Sequence, residues 1–334
     1  MKKKVIALLS GGFDSALAVR IMQREGSEVE GLHVVTPFVE SYSEAKKCAD
    51  DLGIFFHAVY TEPTYIEILK HPLFGYGKAA NPCLDCHLFM LKMAKKRMEE
   101  TGACAVITGE VLGQRPMSQR RHHLEMLEFR SGLKGRLLRP ISAKLLPITE
   151  PETSGMIDRE KLYGFQGRAR APLHSLGKSL GLTYIPGASP GCCLTQKSFA
   201  PRVFDLIRNA PQAKMWEYEL LRFGRHLRLN DSTRVIMGRN AKDCTIIREK
   251  FLENCAGRND LAYFEPENYT GPSILLIGQI TEETLVQAKM LQIHYSKNAH
   301  MVPEIIFRHF SSKEETLEKF IPVTDISVSE YSPL

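Results

Sequence analysis

Between residues 5 and 108 the chain repeats one pattern: a short aliphatic run, a glycine or polar break, then a stretch with apolar residues at helical spacing. The runs at 5–9, 29–35, 54–59 and 105–108 read as strands, and the stretches at 14–24, 43–52 and 84–99 read as helices. Gly26 and Gly53 supply the stops. Strand, crossover helix and strand in repetition join parallel neighbours, because a tight hairpin can join only antiparallel ones. The predicted fold class is therefore α/β: a parallel five-stranded doubly wound sheet. Such sheets bind ligands beyond the carboxyl ends of their strands.

The pattern changes further on. Residues 115–193 are rich in Pro, Gly and Arg, with helical patches near 150–162 and 170–180. After Thr195, helical stretches at 204–208, 215–221 and 281–293 and strand runs at 233–237 and 273–277 predict a smaller α+β domain. The expected division is 1–195, 196–310 and a loosely ordered tail at 311–334, acidic and then serine-rich. With 43% hydrophobic and 25% charged residues, 334 residues can bury two cores, which excludes a disordered chain or a coiled coil. The run at 5–9 is too short for an export signal. No stretch reaches the ~18 apolar residues of a membrane span, so the expectation is a cytoplasmic protein without membrane contact. The formal charge of +6 is uneven: residues 115–139 and 196–240 each carry a net +5. Each reads either as a polyanion-binding surface or as a solvated basic face. Eight cysteines in such a chain point to thiol chemistry or metal binding where they cluster.

Ser10-Gly11-Gly12-Phe13-Asp14-Ser15 joins the first strand run to the first helix. Two glycines let backbone approach a phosphate, and N–H groups at the helix start donate to its oxygens together with the Ser10 and Ser15 hydroxyls. The string lacks the Gly-Lys-Ser/Thr ending of a Walker A loop and the spacing of a dinucleotide fingerprint. The plain alternative is a turn with Asp14 and Ser15 as helix caps. The string resembles the SGGxDS loop of the PP-loop ATP pyrophosphatases, which cut ATP to AMP and pyrophosphate while adenylating a substrate. That resemblance implies that Ser10, Gly11, Gly12, Asp14 and Ser15 hold pyrophosphate and its Mg²⁺. It further implies that backbone at Leu32-His33-Val34 reads adenine. His33 is then a wall of the adenine pocket, a surface histidine or a titrating group.

Asn81-Pro82-Cys83-Leu84-Asp85-Cys86-His87 opens a helix, whose dipole lowers a thiol pKa and raises its thiolate fraction. It resembles the NPCxxC loop of bacterial tRNA 2-thiouridine synthases, which implies a catalytic Cys86. The second catalytic cysteine of those enzymes sits in a Gly-Cys pair, matched by Gly191-Cys192 with Cys193 beside it. The segment Thr108-Gly109-Glu110-Val111-Leu112-Gly113-Gln114, followed by Ser118-Gln119, resembles TGENLGQ…SQ of the tRNA 4-thiouridine synthases. Gly109 would then border AMP, while Gln114, Ser118 and Gln119 would line the substrate side. Taken alone, Glu110 reads equally as a helix cap. Leu138-Arg139-Pro140-Ile141 resembles the same family's return strand. Val235-Ile236-Met237-Gly238-Arg239-Asn240 resembles the NFACT-R domain, which implies RNA binding; a purely structural appendage is the alternative. Arg168 and Arg170 stand on a flexible stretch before a helix, suited to phosphate contacts on RNA or ATP or serving as plain surface charge. His87, His122 and His123 read as solvent-facing or as groups that donate to phosphates or titrate near neutrality, and Cys48, Cys104, Cys244 and Cys255 as packing residues.

Together these resemblances imply an ATP-dependent tRNA sulfurtransferase. A uracil oxygen is a poor leaving group until it carries AMP, and the phosphate loop stabilises the departing pyrophosphate. Two cysteine routes stay open. A persulfide on Cys192 attacks and Cys86 resolves it through a disulfide, or Cys83, Cys86 and Cys192 hold three irons of a 4Fe–4S cluster. A four-thiolate zinc site completed by Cys193 is a third arrangement. The implied sulfur donor is a desulfurase-derived persulfide or free sulfide, and a homodimer is compatible. The competing readings are a synthase or amide ligase for a small adenylated molecule with a zinc-bound CxxC, and a non-catalytic nucleotide- and RNA-binding protein. The basic clusters and extra domain weigh against the first, the paired cysteines against the second.

Overall fold

The computed structural model describes residues 3–61, 63–116, 118–182, 191–310, 315–322, 331 and 334. The chain forms two compact units, Met1–Thr195 and Gln196–Leu334. The first contains, in order, β1 (Lys4–Leu8), α1 (Phe13–Glu25), β2 (Glu28–Val35), α2 (Tyr42–Leu52), β3 (Phe55–Tyr60), α3 (Thr64–Lys70), α4 (Cys83–Thr101), β4 (Ala105–Ile107), α5 (Arg121–Arg130), β5 (Leu137–Leu138), α6 (Glu150–Thr153) and α7 (Ala171–Ser179). Its strands form one parallel sheet in the order β3-β2-β1-β4-β5. Val5 and Ala7 of β1 join the core built by α1, α2 and α7, whereas Ile6 faces the core of α4 and α5. A strand covered on both faces has to be apolar throughout, which explains the unbroken aliphatic run. The predicted doubly wound sheet is therefore present. Its strand order reverses between β1 and β4, the switch point where such sheets open a crevice at their carboxyl ends.

The helical patch expected at 150–162 is shorter. α6 ends before Gly155, which takes a left-handed φ of 73°, and only a 3-10 turn at Arg159–Lys161 follows.

The second unit contains α8 (Ala200–Asn209), α9 (Met215–Leu220), β6 (Arg225–Asn230), β7 (Thr233–Met237), α10 (Ala241–Asn254), β8 (Leu261–Pro266), β9 (Ile274–Gly278), α11 (Glu282–His294), β10 (Ile305–Phe310) and β11 (Glu315–Phe320). Its antiparallel sheet runs β11-β10-β8-β9-β7-β6. Alternate residues of β7 and β9 serve opposite cores: Val235, Met237, Ile274 and Leu276 pack with α11, and Ile236, Leu275 and Ile277 with α9 and α10. The expected loose tail is corrected by β11, which pairs with β10 from Ile305↔Phe320 to Phe310↔Glu315 and buries Phe320. Its glutamates and lysine concealed it in the sequence; an edge strand tolerates charge that a central one does not. Among the described residues no helix is long and apolar enough to cross a membrane.

Candidate active site

The turn after β1 is shaped by what presses on it. Gly11 takes φ 77°, and a Cβ there would lie 2.6 Å from the Ala45 amide nitrogen, so only glycine fits against the start of α2. Ser15 Oγ donates to the Gly12 carbonyl at 2.8 Å and lies 3.2 Å from Ser10 Oγ, which accepts from the Gly12 N–H at 3.3 Å. These longer contacts hold the loop in shape and can be exchanged for phosphate oxygens. No side chain caps α1 at Gly12, so Asp14 and Ser15 do not serve as N-caps and the helix start keeps its donor character. Asp14 Oδ2 lies 3.5 Å from Arg170 Nη2, while Oδ1 is buried without a hydrogen-bond partner among the described residues.

The segment after β4 leans directly on this turn. A Cβ on Gly109 would stand 2.5 Å from the Asp14 carbonyl carbon and oxygen and 2.6 Å from the Ser15 nitrogen. The next residue, Glu110, is a buried charge hub and not a helix cap. Its Oε2 accepts from Arg139 Nε at 3.0 Å and from Thr108 Oγ1 at 3.1 Å. His87 Nδ1 of α4 stands 3.3 Å from Oε1, an ion-pair separation without hydrogen-bond alignment. Burial pushes the Glu110 carboxyl up, but the Arg139 guanidinium and then His87 outweigh it and hold the pKa at about 2. Arg139 also reaches Glu128 at 3.3 Å and the Leu124 carbonyl at 3.1 Å. The Gly113 N–H donates to the Gln119 carbonyl at 2.7 Å, closing the loop. Gln114 Nε2 and Gln119 Oε1 are buried without partners among the described residues, as expected of groups awaiting a polar ligand.

The cysteines gather on the α4 side of the crevice. Cys83 opens α4, and its thiol hydrogen-bonds Ser118 and feels the charges of Arg115 and Glu110. Cys86 Sγ lies 3.4 Å from the hydroxyl of Tyr65, a residue fully buried on α3. Cys192 arrives from far along the chain: the Ala80 N–H donates to the Leu194 carbonyl at 3.0 Å, and the Cys193 N–H to the Phe38 carbonyl at 3.1 Å. Cys83 and Cys192 lie near enough to Cys86 to raise its pKa, Cys83 does the same to Cys192, and Tyr65 senses Cys86, Cys192 and Cys193. The expected dipole-lowered acidity is corrected. Desolvation dominates, raising Cys83, pushing Cys86 to about 12 and Cys192 to about 11, so in this form the thiols hold their protons at neutral pH. Among the described residues no three His, Cys, Asp or Glu side chains converge as a single-ion site.

His33 is corrected from a surface or titrating group. It is buried, Nδ1 donates to the Leu9 carbonyl at 2.7 Å, and desolvation lowers its pKa, leaving it neutral. That bond also shapes the strand end. The Leu32 carbonyl accepts from Leu9 and the Val35 carbonyl from Thr61, so by alternation the polar backbone groups of Val34 point past the end of β1. Arg168 is exposed, and Arg170 is drawn in beside Asp14. An open cavity of about 550 Å³ lies at the opposite, amino-terminal edge of the sheet. Its charged Glu30 is paired with Lys4 and Arg97. Sequence reasoning passed over Tyr65 and the His87–Glu110–Arg139 network, because both exist only across separate elements. The one signal was the acid directly after Gly109.

Residues 1–143 match the family model described as thiamine biosynthesis protein (ThiI). Residues 224–332, spanning β6 to β11, match the model described as NFACT protein RNA binding domain. The residues matched by the thiamine biosynthesis model include the turn after β1, Cys83, Cys86 and the Glu110–Arg139 pair; Cys192 lies beyond the matched region. A tRNA-specific 2-thiouridylase MnmA of Sulfurimonas denitrificans is 35% identical over 125 residues, covering 34% of this chain and 36% of that protein. A "Probable tRNA sulfurtransferase" of Thermococcus kodakarensis is 29% identical over 116 residues, 33% of this chain and 30% of that protein. The chain thus spans about a third of the length of these curated relatives. A solved 4-thiouridine synthetase–RNA complex with bound ATP shares 20% identity at a TM-score of 0.41, covering 66% of this chain and 53% of that one.

Proposed function

We propose that this chain is an ATP-dependent tRNA sulfurtransferase, which adenylates a uridine carbonyl and replaces its oxygen with sulfur. The observation that carries the reading is the junction at Gly109-Glu110. One residue presses on the turn after β1, and the carboxylate of the next lies 3.3 Å from His87 on the helix that bears Cys83 and Cys86. A nucleotide-handling turn and a thiol cluster thereby share one crevice at the switch point.

In the first half-reaction the uracil oxygen attacks the α-phosphorus of ATP and pyrophosphate leaves. Ser10, Gly11, Gly12 and Ser15 cradle the leaving oxygens, and the Val34 backbone reads adenine. The buried, partnerless Oδ1 of Asp14 fits a cation, so Asp14 would hold Mg²⁺, which neutralises phosphate charge when bound. In the second half-reaction sulfur attacks the activated carbon and AMP departs with the original oxygen. Gln114 and Gln119 orient the base, and Arg170 offers phosphate contact beside Asp14.

The neighbouring thiols of Cys83, Cys86 and Cys192 suit iron–sulfur ligation; when bound, such a cluster would supply a Lewis-acidic sulfur carrier and keep its thiolates deprotonated. A persulfide on Cys192 resolved by Cys86 needs the same two distant cysteines. Mass spectrometry of tRNA nucleosides from cells with and without the gene tests the reading. Loss of a thiolated uridine is expected, with tRNA-dependent pyrophosphate release by the pure protein. Unchanged nucleosides, or release driven by a small acid alone, would overturn it in favour of a ligase.

A further inference from the structure

Arg168-Ala169-Arg170 is a short strap whose two ends are fixed to different parts of the first unit. At one end Gln166 pairs with Leu112 in a parallel bridge, and the Gly167 N–H donates to the Leu112 carbonyl at 2.8 Å. Ser142 Oγ fastens the same place, accepting from the Leu112 N–H at 3.0 Å and donating to the Phe165 carbonyl at 2.7 Å. At the other end α7 lies on the turn after β1. The His174 ring stacks on Phe13 with centroids 4.3 Å apart, and a Cβ on Gly177 would stand 3.0 Å from the Phe13 ring. Arg170, the residue before α7, is thereby delivered beside Asp14, the neighbour of Phe13.

The contact between the two is loose. Arg170 Nη2 stands 3.5 Å from Asp14 Oδ2, beyond the ~2.7–2.9 Å of a formed charge-assisted hydrogen bond. The Arg170 side chain is 52% exposed and that of Asp14 only 16%. Asp14 Oδ1 is buried and has no hydrogen-bond partner among the described residues. The carboxylate therefore keeps unused acceptor capacity on its inner side, while the guanidinium on its outer side can turn about a stem whose backbone is fixed.

We propose that Arg170 and a divalent cation compete for Asp14 and that a triphosphate resolves the competition, so that the site takes cation and nucleotide as one complex. The inference rests on the reading of this turn as an ATP site and adds which species binds there. A cation on Asp14 brings two positive groups together over one carboxylate, and each disfavours the other. A triphosphate reverses the sign: its oxygens accept from Arg170 as the cation takes the carboxylate, and every charge keeps an opposite partner. The guanidinium fork suits two phosphate oxygens at once, where an ammonium acts as a point charge. Nucleotide without cation meets the carboxylate uncompensated once Arg170 has turned to phosphate. By linkage, cation and triphosphate then strengthen each other's binding by the same factor.

The test uses Mn²⁺ in place of Mg²⁺ and the full chain, with Mn²⁺ binding read by paramagnetic resonance and Mn–ATP binding by calorimetry. Arg170→Gln is expected to tighten binding of Mn²⁺ alone by ~3–10-fold, the scale of a screened charge contact at a half-exposed side chain. The same variant should weaken Mn–ATP binding by ~10-fold or more through loss of a charge-assisted contact. Arg170→Lys, which keeps the charge and loses the fork, should hold Mn²⁺ alone as weakly as the wild type. In an Asp14→Asn background Arg170→Gln should no longer tighten Mn²⁺. Opposite changes for the two ligands cannot come from a general loosening of the fold. Binding of Mn²⁺ alone that is unchanged or weaker in Arg170→Gln would overturn the exchange while leaving tRNA thiolation standing. A wild-type chain that binds no Mn–ATP would overturn the nucleotide reading and the exchange together.

Discussion

Gly109→Ala puts one methyl group where the structure has no room. The new carbon would stand 2.5 Å from the Asp14 carbonyl carbon and oxygen and 2.6 Å from the Ser15 nitrogen. Relaxed carbon contacts lie at ~3.5–4.0 Å, so the segment after β4 and the turn after β1 must separate by about 1 Å. All three obstructing atoms are backbone, and no side chain can swing aside. Overpacking of this kind costs ~1–3 kcal/mol, and at ~2–4 °C per kcal/mol for a unit of this size Tm should fall by roughly 2–12 °C. Rate should suffer more, because displacing reacting groups by ~1 Å costs ~10²-fold. The assay is tRNA-dependent pyrophosphate release beside a thermal melt. Gly164→Ala is the control, since its Cβ would meet Lys144 Cβ at an ordinary 3.4 Å. A Gly109→Ala protein that turns over at the wild-type rate would refute the claim that this contact sets the geometry of the turn.

Asp14→Asn should slow pyrophosphate release by ~10²–10³-fold, through lost electrostatic stabilisation, and leave tRNA affinity intact; parallel loss of binding would contradict it. Cys86→Ser and Cys192→Ser should each abolish thiolation while pyrophosphate release continues, because adenylation precedes attack by sulfur; nucleoside analysis and phosphate assays separate the two. If the thiols hold an iron–sulfur cluster, anaerobic wild-type protein is brown and both variants are colourless, whereas colourless wild type containing zinc rejects the cluster. Glu110 titrates at about 2 instead of 4.5, so its stabilising contribution is complete above the unfolded value and is lost as pH falls from 4.5 toward 2. At ~1.4 kcal/mol per unit this amounts to about 3 kcal/mol. Glu110→Gln should flatten that acid dependence, read by hydrogen exchange of α4 and β4 amides, and an unaltered profile would count against the network.

Local chemistry was legible along the chain. The alternating aliphatic and amphipathic runs determined a parallel sheet, since crossover helices leave that sheet no other connection. Ser10 to Ser15 and the Cys83–Cys86 pair announced themselves because a strand-to-helix turn and a helix start need particular residues at fixed offsets. Tertiary structure decided what each of these residues experiences. The dipole at the start of α4 favoured acidic thiols, yet burial outweighed it at Cys86 and Cys192. Glu110 looked like a cap and became the buried ion-pair partner of Arg139, with His87 alongside. Tyr65 carried no motif at all, and β11 was hidden by its charges. Spacing along a chain encodes hydrogen bonds and periodicity over a few residues. Desolvation and charge pairing depend on which distant segments meet, and those free energies exist only once the sheet has brought the segments together.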